Sequence, residues 1–154
     1  MKELYSLAVV AMFFATSSIS YAQEARPDYN AMSNFKLRKY LYDNGYIMSS
    51  GQHIKVGDQL TLGKGTMPNK SFAYIYEAAT AWGSGTSADM KEKGNLPSAK
   101  SGKAATIKGF VADGTKKTGF TIMAVVQVGT LMNYWVEVEN ALEASEIILT
   151  QSKN

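Results

Sequence analysis

Apolar and polar residues alternate with a period of two from Ile54 to Leu62. Ile54, Val56, Leu60 and Leu62 fall on one parity, and Lys55, Gln59 and Thr61 on the other. That pattern predicts a strand with one buried and one wet face, and Gly57-Asp58 supplies a bend or bulge in its middle. Further along, "SFAYIYEA" (Ser71–Ala78) and "ATIKGFVAD" (Ala105–Asp113) carry the aromatic and β-branched residues that suit strands, and Gly114–Lys117 makes a turn after the second. "GFTIMAVVQVG" (Gly119–Gly129) is the most continuous apolar run beyond the N-terminal segment, which predicts a central strand covered on both faces. "NYWVEVE" (Asn133–Glu139) alternates Tyr134, Val136 and Val138 against Asn133, Trp135 and Glu137. The connections between these last strands are too short for parallel crossovers, so they should form an antiparallel meander.

Two stretches break the strand pattern. In "SNFKLRKYLYDNGYIM" (Ser33–Met48), Leu37 and Leu41 are one helical step apart, with Ser33 placed to cap the start and Gly45 to stop it. A short helix is expected there, although Phe35, Leu37 and Leu41 also share strand parity. "ENALEASEII" (Glu139–Ile148) switches to helix formers and predicts one or two helical turns followed by a polar tail. The segment Ala79–Lys103 is longer than an ordinary hairpin loop; it should carry a small helix over "SADMKEK" and lie across one end of the sheet. The expected fold is therefore mainly β: a small antiparallel barrel or sandwich, SH3-like or OB-like, with a short C-terminal helix and a long loop insertion.

The N-terminus reads as an address. Lys2 precedes an apolar run from Leu4 to Ala15, and Ser20-Tyr21-Ala22 places small residues at −3 and −1 of a peptidase site. The run is shorter than the ~20 residues of a membrane span. The expected organisation is a signal peptide over 1–22, a polar leader over 23–32 and a single β-rich domain over 33–150, with no stable membrane span once the signal is cleaved. A transmembrane barrel needs at least about eight long strands, more than this chain offers.

Composition narrows the chemistry. The chain has no cysteine, so a catalytic thiol, a disulfide and a cysteine metal site are impossible. An exported domain without disulfides points to the bacterial periplasm or exterior. Residues 55–117 hold ten lysines against five carboxylates, whereas residues 118–154 hold one lysine against four glutamates; this asymmetry fits a solvated lysine-rich surface or the steering of an acidic partner.

Candidate motifs fail one by one. "IKVGDQLTLGKG" has five residues between Gly57 and Gly63, and Gly65 follows Lys64, so it departs from the phosphate-binding P-loop. His53 is the single histidine, with no nucleophile elbow beside it, and it reads as an exposed loop residue. Glu137, Glu139, Glu143 and Glu146 cluster near the C-terminus; Glu137 and Glu139 would share a strand face, and a carboxylate pair is what glycoside hydrolysis requires. No catalytic residue, metal ligand or cofactor is assigned. The aromatic residues are the better functional material: Trp82, in the glycine-rich insertion, with Tyr74, Tyr76 and Trp135, are candidate ligand-binding residues for a sugar or peptide side chain, or else core. Aromatics interleaved with lysines also suit single-stranded nucleic acid, which export argues against.

Three runs, "IKVGDQLTLGKGTMPNKSFAYIYEA", "GTKKTGFTIMAVVQVG" and "NYWVEVENALEASEI", resemble a group of small exported bacterial β-barrel proteins of unknown function, which share a VGD-x-L-x-LG strand and an NYWVE-x-ENA unit. The resemblance covers most of Ile54–Ile148, implies an SH3-like or OB-like shape, and brings no activity. The expected function is a non-enzymatic binding or accessory module of the envelope with a protein or glycan partner. A carbohydrate-active enzyme using the clustered carboxylates, or a purely structural envelope protein, is the alternative.

Overall fold

The computed structural model describes residues 25–77, 94–130 and 132–150. In chain order the elements are α1 (Asn34–Asn44), β1 (Tyr46–Ile47), β2 (His53–Ile54), β3 (Gln59–Leu62), β4 (Ile75–Glu77), β5 (Ala104–Thr115), β6 (Gly119–Val128), β7 (Met132–Glu137), α2 (Val138–Glu143) and β8 (Ile147–Leu149), with 3-10 turns at Tyr29–Ala31 and Ser98–Lys100. Strand takes 39% of the described residues against 21% helix, so the fold is mainly β. Six strands form one antiparallel sheet, ordered β4-β7-β6-β5-β3-β8, and β1 pairs with β2 in a separate two-stranded sheet. The large sheet curls into a half-barrel.

Strand periodicity explains how the core is divided. On β6, Ile122, Ala124, Val126 and Val128 face the main cluster, which also takes Tyr134 and Val136 of β7 and Leu37 and Leu41 of α1. The intervening residues Met123 and Val125 meet Trp135 and Tyr76 on the other face. Strand β6 is thus buried on both sides, as its unbroken apolar run predicts. On β5 the parity would fail without a correction: Ala105 and Ile107 face the main cluster, but so does Ala112, with half-buried Phe110 packed alongside. The register shift between Ile107 and Gly109 is the reason. One extra residue at the bulge turns the second half of the strand over.

The connection from β3 to β4 has the hardest path, because those strands are fifth and first in the sheet. It passes from one side of the sheet to the other, burying Phe72 in the main cluster on the way. Glu146, just before β8, holds it there. Its Oε1 accepts the Thr66 N–H (3.0 Å), the Thr66 hydroxyl (2.5 Å) and the Ala73 N–H (2.6 Å), and its Oε2 accepts the Tyr74 N–H (2.9 Å). Glu146 is fully buried. A carboxylate is acceptor-only, so it meets this set of donors without a mismatch. Gly63 and Gly65 begin the same crossing. A Cβ at Gly63 would strike the Ser145 carbonyl, and one at Gly65 the Lys70 carbonyl.

The structure changes some expectations and keeps others. Val56 does not join the buried face: it is 46% exposed. Gly57, at φ +97°, makes a full turn instead of a bend, with the Asp58 N–H donating to the Lys55 carbonyl. The predicted single strand is therefore two strands in two different sheets. The expected helix near the N-terminus forms over Asn34–Asn44, with the Ser33 hydroxyl accepting the Lys36 N–H and Gly45 taking φ +82° at its end. The C-terminal helix stops at Glu143 because Ser145 turns to φ 59°, and Ile147–Leu149 becomes a strand paired with β3. The segment read as a leader packs onto the fold through buried Tyr29, whose hydroxyl accepts the Ile47 N–H at 2.9 Å. The expected "SADMKEK" helix lies outside the described residues.

Two substitutions test this account. Glu146→Ala strips the shared acceptor from three backbone N–H groups, each costing about 1–3 kcal/mol when left unmet in a buried site; the urea midpoint should fall accordingly, and the far-UV spectrum should remain β-type at low denaturant. Gly63→Ala should cost about 1–3 kcal/mol, since the obstructing atom is backbone and cannot rotate away.

Candidate functional site

Among the described residues, polar side chains gather at the surface around Glu139, and the order of the chain explains how. Strand β7 ends at Glu137, and α2 begins at Val138, so Glu137 and Glu139 leave the strand in different directions. They do not share a strand face. Glu137 accepts the Tyr76 hydroxyl at 2.9 Å on one oxygen and the Asn140 side-chain amide at 2.7 Å on the other. Glu139 turns toward the loop after β1. Its Oε1 accepts the Tyr46 hydroxyl (2.5 Å) and the Ser49 N–H (2.8 Å), and its Oε2 accepts the Ser49 hydroxyl. The N-terminal segment adds Arg26, whose Nη2 lies 3.4 Å from Glu139 Oε1 and 3.3 Å from the Tyr46 hydroxyl.

Arg26 is itself positioned by local geometry. Asp28 caps the 3-10 turn by accepting the Asn30 and Ala31 N–H groups. Tyr29 then enters the core against Tyr40 and Tyr46, with ring centroids 5.9 and 5.4 Å away. The Arg26 guanidinium lies over the Tyr29 ring at 5.6 Å, within the range of a cation–π contact. On the far side, Asn30 Oδ1 accepts the Phe120 N–H at 3.1 Å and ties the segment to β6.

These groups surround a recess of about 210 Å³ that offers Arg26, Ser49, Thr121 and Asn140 beside the two glutamates, with Phe120 and Ile122 as its apolar wall. A neighbouring recess of about 290 Å³ shares Arg26, Phe120 and Ile122 and adds Asp28 and Asn30. Partial burial opposes the charged form of Glu139. Hydrogen bonds from the Ser49 hydroxyl, the Tyr46 hydroxyl and the Ser49 N–H, together with the Arg26 charge, outweigh it and hold the carboxyl below its ordinary value. Tyr46 moves the other way: burial, and then the Glu139 carboxylate, push its hydroxyl well above the usual phenol range. Burial and Glu137 do the same to Tyr76.

Of the residues singled out from the sequence, Tyr74, Tyr76 and Trp135 do not line the recess. Tyr76 and Trp135 are direct cross-strand partners on β4 and β7, only 5% and 1% exposed. The Trp135 Nε1–H has no hydrogen-bond partner among the described residues. Tyr74 is half-buried and gives its N–H to Glu146, and Trp82 lies outside the described residues. The four C-terminal glutamates do not form one cluster, since Glu143 is exposed and Glu146 is fully buried. Among the described residues no group of three or more His, Asp or Glu side chains is arranged to hold a metal ion. Glu139 was in view from the sequence, but Arg26 and Ser49 gave no signal, because nothing local marks a contact across ninety residues.

The depressed carboxyl of Glu139 fixes a sign. Such a group stabilises the fold above its unfolded value and withdraws that stability as pH falls through the folded value. Stability should therefore decline as the pH drops below the ordinary value of 4.5. Glu139→Gln should flatten that part of the curve, read as urea midpoints between about pH 6 and about pH 3.

Set against known proteins, the chain stands without a match: no protein-family model, no curated protein and no solved structure matches it, and the recess geometry carries the functional argument.

Proposed function

We propose that the protein is an exported, non-enzymatic binding module of the bacterial envelope, and that the recess between Arg26 and Asn140 takes a hydroxyl-rich ligand such as the end of a glycan. One observation carries this reading. The polar groups of the recess hold one another in place on the N-terminal segment, the loop after β1, the end of β7 and α2, beside the apolar wall of Phe120 and Ile122. Fixed donors and acceptors beside an apolar wall are what a small polar ligand needs for orientation. Export is supported by the apolar run over Leu4–Ala15 with its small-residue site at Ala22.

Binding is favoured over cleavage by the state of the carboxylates. A glycosidase needs one carboxyl that keeps its proton near neutral pH, which means a raised value. Glu139 is shifted in the opposite direction, and both oxygens of Glu137 are already accepting hydrogen bonds from Tyr76 and Asn140. The carboxylates therefore suit a wall that accepts hydrogen bonds.

Titration with soluble oligosaccharides released from bacterial envelopes, followed by amide NMR, tests the reading. Resonances of Ser49, Thr121 and Asn140 should move together, and Thr121→Arg, which fills the recess from an exposed position, should abolish the response without unfolding the protein. Release of reducing ends during the titration, or shifts confined to other surfaces, would count against it.

A further inference from the structure

The described residues leave four large apolar side chains exposed, and two of them, Phe35 at 79% and Tyr42 at 80%, are on α1. They are seven residues apart, which is two helical turns and about 10 Å along one face. Leu37 and Leu41 are fully buried in the main cluster, on the other side of the helix. Phe35 and Tyr42 therefore form a crest pointing away from the protein. A third exposed apolar residue, Val56 at 46%, belongs to the turn beside the C-terminal end of α1, where the Gly45 backbone abuts the Ile54 carbonyl and the Lys55 side chain.

The charges around this crest are mostly of one sign. Lys36, Arg38 and Lys39 are exposed on α1, and Lys55 is exposed on the adjacent turn. Only Lys39 is paired within the helix, to Asp43 at 2.7 Å. Among the described residues, no hydrogen bond or ion pair draws the side chains of Lys36 and Arg38 back onto the fold, which leaves both cations available to a partner. Aromatic side chains at the crest of a helix with cations on its flanks match the composition of a membrane interface, where rings enter the headgroup layer and cations meet lipid phosphates.

We infer that the outer face of α1 docks the protein on an anionic lipid surface, with Phe35 and Tyr42 entering the headgroup layer and Lys36, Arg38 and Lys55 meeting phosphate oxygens. Charge complementarity selects this occupant, because a neutral apolar partner would leave the unpaired cations facing nothing. The inference is independent of the recess around Glu139 and of what that recess binds.

The absence of cysteine allows a clean test. A single Asn34→Cys carrying a polarity-sensitive dye reports on the crest. Ile148→Cys reports on a residue that is 57% exposed but on the opposite face of the sheet, since its neighbours Ile147 and Leu149 pack into the main cluster. Vesicles containing phosphatidylglycerol should blue-shift the dye at position 34 and leave the dye at 148 unchanged. Phosphatidylcholine vesicles should have no effect, and added salt should reverse the shift by screening. In this labelled background, Phe35→Ser combined with Tyr42→Ser should weaken vesicle affinity at least about tenfold, with the thermal midpoint unchanged because both rings are exposed.

No shift at position 34, or equal shifts at both positions, would overturn the inference. So would concentration-dependent self-association that the double variant abolishes and vesicles do not affect, which would assign the crest to a second copy of the chain.

Discussion

A single buried carboxylate closes this fold. The open sheet places β3 and β4 at nearly opposite ends, so the chain between them must span the sheet with few strand partners of its own. Backbone N–H groups in such a crossing need acceptors or they oppose folding. Glu146 supplies acceptors for three of them and for the Thr66 hydroxyl. Its own backbone is fixed at the same time, its carbonyl accepting the Gly63 N–H and its N–H donating to the Ala141 carbonyl. Hydrogen bonds to an ionised acceptor are roughly twice as strong as neutral ones, and several converge here on one side chain. The short β8 strand, the end of α2 and the β3–β4 crossing are thus locked together at one point.

The same principle organises the rest of the C-terminal unit. Glu137 fastens Tyr76 of β4, Glu139 gathers Ser49, Tyr46 and Arg26, and Glu146 gathers residues 66 to 74. Three glutamates within ten residues of sequence therefore collect four distant stretches of chain. This gives the uneven charge distribution a partly internal meaning. The acidic end of the chain spends most of its carboxylates as acceptors inside the molecule, whereas most of the lysines of residues 55–117 that are described face solvent.

How far the sequence discloses this structure follows from the range of each interaction. The β5–β6–β7 meander and α1 are set by local signals: two-residue alternation, a serine cap and a glycine stop, all visible within a dozen residues. The fate of Val56 is decided by the conformation of Gly57, and a bend and a complete turn have the same local composition. Strand β8 was hidden for a different reason. Ile147–Leu149 follows helix-forming residues, and it becomes a strand because β3 presents a free edge beside it. The bulge in β5 was likewise silent, although Ile107 and Phe110 differ in parity and cannot share a face without one. Of the candidate aromatics, Tyr76 and Trp135 do come together, but as buried cross-strand neighbours. The recess residues Arg26, Ser49 and Glu139 meet only in three dimensions.

Burial on both sides of the central strands constrains where this protein can meet anything else. Strand β6 places its alternate residues in two separate apolar clusters, so its faces are spent on cohesion. The surface of the described fold includes the ends of strands and the outer side of α1. The recess uses the first kind of position, at the junction of β7 and α2 and the start of β6, where side chains leave the sheet and carboxylates can be held by donors from other segments. The α1 crest uses the second, where a helix buries Leu37 and Leu41 and presents its opposite face outward. Where the central strand is filled on both faces, recognition has to be built at boundaries. Both proposed surfaces stand at such boundaries, on scaffolding whose rigidity derives from the core beneath.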